Sequence, residues 1–182
     1  SEEAPKVSDT DAIRSAIGQG TNNFTTIGLA RYVTTVANSG TCYNLSLLDK
    51  VTDSNGNLIK DYNPTVRNIV NFAPSTWNSI HSGMRRVVEA KKYYSDMQIN
   101  VAGKTGTAQE SKSRPNHALF VSYAPYENPE ISVTTRIAYG YASDFAAQLT
   151  QDIYKYYYRL ENVDELIDGT ATDTNTNVSN TD

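Results

Sequence analysis

The chain has 182 residues, 38% of them apolar, with 16 basic against 20 acidic side chains and a net charge of −4. That length predicts one domain able to bury a real core, and with a sequence pI of about 5.2 nothing favours nucleic acid, whose binders show basic stripes. Cys42 is the sole cysteine, neither His81 nor His117 has a partner at metal-ligand spacing, and no run approaches the roughly 20 apolar residues of a membrane span or reads as a signal peptide.

Residues 1–16 are polar and contain Pro5, which predicts a loop or extended arm. Ile17-Gly18-Gln19-Gly20 reads as a tight, glycine-flanked turn. Thr25 is a good N-cap for a helix to about Asn38, with Ile27, Ala30, Val33 and Ala37 on one face and Gly40 placed to end it. Gly28 in its first turn costs about 1 kcal/mol relative to alanine. Stretches 45–52 and 58–62 flank Asp53-Ser54-Asn55-Gly56-Asn57, and Asn55-Gly56 is a strong hairpin signal.

Ser75 opens a second helix, on which Trp77, Ile80, Met84 and Val87 or Val88 form a core-packing stripe. Arg85, Arg86, Lys91 and Lys92 read as its solvated face. Three strands follow, over 99–109, 118–124 and 131–137, and their short connections favour an antiparallel meander. A last helix, about 143–160, carries Phe145, Leu149, Ile153, Tyr157 and Leu160 on one side. Residues 168–182, mostly Thr, Asn and Asp, are too polar to bury a core face and read as a flexible tail.

The chemistry concentrates in Ala102-Gly103-Lys104-Thr105-Gly106-Thr107-Ala108-Gln109. Strand side chains alternate, so Thr105 and Thr107 share a face, whereas Lys104 shares parity with Gly106 and reaches the site from the strand's start. Two hydroxyls and an ammonium suit a carboxylate, because charge-assisted hydrogen bonds are about twice as strong as neutral ones. Gly106 removes a side chain where a ligand's backbone could lie alongside, and the N–H after it could donate into an oxyanion hole. A glycine-bearing strand with incidental threonines would read the same on the tripeptide alone. A phosphate loop is excluded, because its first glycine would fall at Gln98.

The octapeptide, followed by His117-Ala118-Leu119-Phe120-Val121-Ser122-Tyr123-Ala124-Pro125, resembles the third and fourth strands of the transpeptidase domain in class B penicillin-binding proteins. Ser15 to Gly20 resembles that family's G-Q-G turn. Thr25–Ala30 with Val36–Gly40, then Gly83-Met84 with Val87-Val88, resemble its helices, so the likeness runs from about residue 5 to 160 in family order. It implies an α+β fold, a partial penicillin-binding-protein/serine β-lactamase-like domain over 1–167 with a largely antiparallel sheet flanked by helices. It further implies Lys104 in the proton-relay network, Thr105, Gly106 and Thr107 along the substrate carboxylate, and the Thr107 N–H as oxyanion donor. Gly18, Gln19 and Gly20 would shape the site's floor, with no metal or cofactor.

The family's nucleophile lies in S-x-x-K, with a second motif S-x-N. No serine here has lysine three residues on or asparagine two on. Both motifs are expected upstream of Ser1, so the chain reads as an inactive fragment of a peptidoglycan D,D-transpeptidase. The stem peptide's D-Ala-D-Ala end and β-lactams are the expected ligands, and the rest of the transpeptidase domain is the expected protein partner. The parent is expected at the extracytoplasmic face of the bacterial cytoplasmic membrane, anchored outside this chain. A β-lactam sensor or a β-lactamase of the same fold are the alternatives.

Overall fold

A computed structural model describes residues 9–16, 18, 24–109 and 113–166. The predicted tail over 168–182 lies outside them. Its first element is a helix, α1 (Asp9–Ala16), where the polar composition predicts a loop. Asp9 and Asp11 in the first turn and Arg14 in the last complement the helix dipole, a local term that hydrophobic pattern does not register. Ile13 on it is 74% exposed.

Helix α2 (Thr26–Ala37) starts as predicted, with extended Thr25 accepting the Gly28 N–H at 3.1 Å. A Cβ at Gly28 would stand 3.1 Å from that hydroxyl, so the glycine leaves room for the cap. Gly40 ends the helix at φ +104°. A Cβ there would lie 2.2 Å from Val70 O and 2.9 Å from Trp77 Cζ2, so both handedness and close approach require glycine. Ile27 leaves the predicted apolar face and is exposed.

Two antiparallel ribbons follow. Strand β1 (Thr41–Tyr43) will pair with β4 (Val66–Ile69), and between them β2 (Lys50–Thr52) and β3 (Leu58–Asp61) form the predicted hairpin. The Asp53 carboxylate accepts the Asn57 side-chain amide and the Asn55 and Asn57 N–H groups, which holds its pKa below the ordinary value. Residues 45–49 are not strand as predicted. Ser46 Oγ instead accepts the Leu48 N–H at 3.0 Å, a local turn that competes with the ladder.

Helix α3 (Pro74–Glu89) begins with proline at its first position and buries Trp77 and Val88. A 3₁₀ turn (Lys92–Tyr94) leads to the meander of β5 (Ala102–Ala108), β6 (His117–Ala124) and β7 (Ile131–Ile137). The strands are antiparallel in the order β5-β6-β7, as the short connections predict. Helix α4 (Ser143–Tyr157) covers one sheet face and α2 the other, and a short α5 (Val163–Leu166) follows.

Under α4, Phe120, Val133, Ala146, Ala147 and Tyr154 pack with Val88, Tyr94 and Val101. Burying a side chain the size of Phe120 contributes about 1.5–3 kcal/mol. The polar groups there are partnered: Ser122 Oγ meets Tyr154 Oη at 2.9 Å, and Thr135 meets Thr150 at 2.6 Å. Opposite, Val33 of α2 packs on Ala102 and Tyr123.

Two features run against the simple pattern of apolar inside and charged outside. The stripe of Phe145, Leu149, Ile153 and Tyr157 faces outward, with Leu149 46% and Tyr157 52% exposed. The sheet-facing side is Ala146, Ala147, Thr150, Gln151 and Tyr154, small enough for the helix to lie close. Nor is the basic group after Trp77 wholly solvated. Arg85 donates to Val101 O and Asn100 Oδ1, and Lys91 pairs with Asp144, while Arg86 and Lys92 stay exposed.

Candidate functional site

Strand β5 is an edge of its sheet, paired with β6 on one side and with no described strand on the other. Its beginning is held firmly. Val101 and Ala102 are buried, Arg85 of α3 caps the Val101 carbonyl at 3.1 Å, and a Cβ at Gly103 would collide with Phe120 Cζ at 2.4 Å. From Lys104 onward burial ends: Lys104 is exposed, and Thr105, Gly106 and Thr107 are half-buried.

Pairing assigns the faces. Lys104 stands opposite Val121 and Gly106 opposite Leu119, whereas Thr105 stands opposite Phe120 and Thr107 opposite Ala118. The ammonium and the two hydroxyls therefore leave opposite faces of one strand, the threonines on the α4 side. Both threonines are half-buried there. A ligand pairing with the free edge lies in the plane of the sheet, flanked by Lys104 on one side and by both threonines on the other. The Lys104 ammonium sits back on its own strand, donating to Thr105 O at 2.8 Å.

Gly106 differs from Gly103. A Cβ at Gly106 would meet only Leu119 Cβ within 4 Å, at an ordinary 3.5 Å, so packing does not demand glycine there. An exposed edge is a hazard that charge commonly blunts, and Lys104 serves that purpose as well.

Gly18 is exposed at φ +78°, donates to Ser15 O at 3.0 Å, and has nothing within 4 Å of where a Cβ would stand. The glycine turn is thus left-handed at Gly18, while Gln19 and Gly20 lie outside the described residues. Among the described residues no group of three His, Cys, Asp or Glu could hold a metal ion. His81 is structural, with Nε2 2.8 Å from Val36 O and its ring against Tyr123. No helix of the described residues is long and apolar enough to cross a membrane.

Sequence reading missed the surroundings of the strand's far end. His117, opposite Ala108, packs its ring 4.8 Å from that of Tyr139, and Arg114 Nη1 donates to Tyr139 Oη at 2.8 Å. The legible signal was His117 beginning the strand after the motif; its partners come from loops that no periodicity joins to it.

Residues 2–155 match the family model described as the penicillin binding protein transpeptidase domain. The peptidoglycan D,D-transpeptidase MrdA of Haemophilus influenzae is 30% identical over 169 residues, covering 81% of this chain and 26% of that protein. The solved penicillin-binding protein 2B of Streptococcus pneumoniae superimposes with a TM-score of 0.74 at 26% identity, over 87% of this chain and 29% of that one. An imipenem acyl-enzyme of penicillin-binding protein A from M. tuberculosis shares the fold at a TM-score of 0.70 and 20% identity, over 80% of this chain and 33% of that one. The chain spans about a quarter of the length of the curated relatives it matches.

Proposed function

The chain belongs to the penicillin-binding-protein transpeptidase family, and from that premise we propose that it is the C-terminal portion of the catalytic domain of a peptidoglycan D,D-transpeptidase. One observation carries the reading: A-G-K-T-G-T lies on an open sheet edge that is anchored at its start and unobstructed at Gly106.

A stem peptide ending in D-Ala-D-Ala pairs with the free edge of β5. Thr105 and Thr107 hydroxyls donate to its terminal carboxylate, and Lys104 supplies positive potential beside the nucleophile. A serine from the rest of the domain adds through Oγ to the penultimate D-Ala carbonyl carbon, its proton passing to a neighbouring base. The Thr107 N–H stabilises the resulting oxyanion, a contribution of about 2.7–4 kcal/mol for one such donor. Collapse reforms the carbonyl and expels protonated D-alanine, leaving an acyl-enzyme. An amine of a second stem peptide then attacks, restoring the serine and forming the cross-link. β-Lactams enter the same site, their ring amide opening in place of the peptide bond. Gly18, Gln19 and Gly20 shape the floor, and no cofactor is needed.

The partner that completes the site is the remainder of the domain. Two features support this: the outward apolar stripe of α4, and the unpaired far sides of β5 and β7 among the described strands. An extracytoplasmic location at the cytoplasmic membrane, with the anchor outside this chain, is part of the same reading.

The test uses the complete protein with a labelled cephalosporin and a D-Ala-D-Ala peptide. Covalent labelling together with D-alanine release and amine transfer is expected. Stoichiometric trapping without any peptide turnover would make it a β-lactam sensor, and rapid hydrolysis of the cephalosporin a β-lactamase.

A further inference from the structure

Four planar side chains stack at the end of β5, on the sheet face that Lys104 and Gly106 share. His117 is opposite Ala108, and Arg136 of β7 is opposite Leu119, which is itself opposite Gly106. Arg136 Nη2 lies 3.4 Å from His117 Nε2 and 3.5 Å from Nδ1, nearly equidistant, so the guanidinium rests over the ring rather than along one lone pair. The Tyr139 ring follows at 4.8 Å, and the Arg114 guanidinium lies 5.5 Å from that ring's centroid while donating to its hydroxyl.

The loop that presents Tyr139 is pinned in an unusual conformation. Tyr139 and Tyr141 both have positive φ, +54° and +64°, values that side-chain-bearing residues seldom adopt without compensation. Tyr139 N–H donates to His117 Nδ1 at 3.1 Å, and Tyr141 N–H to Asn116 O at 3.1 Å. Between them Gly140 fits against Ile137, whose Cβ would be 2.8 Å from an added methyl. Two strained residues, two hydrogen bonds and the close packing of Gly140 thus fix one aromatic ring between a buried imidazole and an exposed guanidinium.

Arg114 and Arg136 are both exposed, and neither has a carboxylate partner among the described residues. Two guanidiniums held in one rigid stack, together with Lys104 on the same face, concentrate positive charge that nothing described neutralises. A guanidinium fixed by an aromatic face loses little freedom on binding an anion and keeps its remaining donors for a carboxylate.

From this we infer that the Arg114–Tyr139–His117–Arg136 stack is a subsite for a carboxylate on the acyl side of the substrate, distinct from the terminal carboxylate assigned to Thr105 and Thr107. The inference rests on the transpeptidase reading, which sets the peptide's terminal carboxylate at Thr105 and Thr107 and the attacked carbonyl at the Thr107 N–H, so that the acyl portion continues toward Ala108. The donor class is therefore a stem peptide carrying a free side-chain carboxylate upstream of D-Ala-D-Ala.

The experiment compares second-order acylation rate constants of the complete protein for two probes. One is a penicillin whose acyl side chain bears a free carboxylate, the other the same penicillin with that group as its methyl ester. The wild type should favour the free acid. Arg114→Ala with Arg136→Ala should cut the free acid's rate by about tenfold, the equivalent of one good charge-assisted contact, and leave the ester's unchanged. Tyr139→Phe, which keeps the ring but removes the hydroxyl that Arg114 engages, should give part of that loss. Equal slowing of both probes, or a wild type indifferent to the carboxylate, would overturn the subsite. A wild type acylated by neither probe would instead remove the transpeptidase reading and this inference with it.

Discussion

Gly103 and Gly106 stand three residues apart on one strand, and alanine at each should fail differently. At Gly103 the new methyl would lie 2.4 and 2.8 Å from Phe120 Cζ and Cε2 and 3.0 Å from Val121 O. Phe120 is fully buried beneath α4, so its ring can retreat only by displacing neighbours. Overpacking of that kind costs about 1–3 kcal/mol. In a domain of 150–250 residues each kilocalorie lowers the melting temperature by about 2–4 °C, which gives a drop of about 2–12 °C. At Gly106 the methyl would touch only Leu119 Cβ, at 3.5 Å, and a glycine in a strand interior is itself a weakness. Gly106→Ala should therefore melt at or slightly above the wild-type temperature. It would, however, project beside the edge on which a ligand's backbone lies, and acylation by a fluorescent penicillin should slow. Calorimetry and labelling kinetics of both variants in the complete protein decide the matter. A Gly106→Ala protein that melts early, or one that labels at the wild-type rate, refutes the assignment of that glycine to the ligand.

Thr105→Val and Thr107→Val keep volume but delete a hydroxyl each, so either should reduce acylation by a carboxylate-bearing β-lactam by about 10–100-fold, the loss of one hydrogen bond to a charged group; unchanged rates in both would argue against the clamp. The 182-residue chain by itself should yield no covalent band with fluorescent penicillin on a denaturing gel, because it holds no S-x-x-K. Gly40→Ala should destabilise by more than about 2 kcal/mol, since a left-handed residue would press its methyl 2.2 Å from Val70 O; chemical denaturation would read it. The Lys91 hydrogen bond, with help from Tyr93, holds the Asp144 carboxyl below its usual pKa. That pair stabilises the fold above the ordinary carboxylate range and is lost as pH falls through the depressed value. Asp144→Asn should thus cost about 1 kcal/mol at neutral pH and nothing at low pH, because the carboxylate side of the pair is 56% exposed and solvent screens it, although Lys91 is only 15% exposed.

Much of the architecture was legible because local chemistry and global fold agree. Thr25 caps where its hydroxyl predicts, Asn55-Gly56 turns a hairpin, and alternation from Ile131 to Ile137 is a strand. Failures occurred where two periodic readings were equally consistent with the letters. On α4 the large apolar residues and the small ones both recur at helical spacing, and only the closeness of sheet and helix selects Ala146, Ala147 and Thr150 as the buried set. At α1 the deciding terms were charges at the helix ends, too weak to outweigh polar composition in a pattern reading. The candidate site divides the same way. Lys104, Thr105 and Thr107 fall within one tetrapeptide, so the motif announces them. The stack around Tyr139 draws on residues 114, 117, 136 and 139, which meet only once β6 and β7 are in register.

In the proposed function the free edge of β5 grips an anionic peptide end. The decisive measurement is a crystal structure of the complete protein acylated by a β-lactam. The ligand carboxylate is expected within hydrogen-bond distance of the Thr105 and Thr107 hydroxyls, with the acyl oxygen on the Thr107 N–H. An acylated protein whose β5 edge is sealed by its own chain, with the carboxylate held elsewhere, would contradict it.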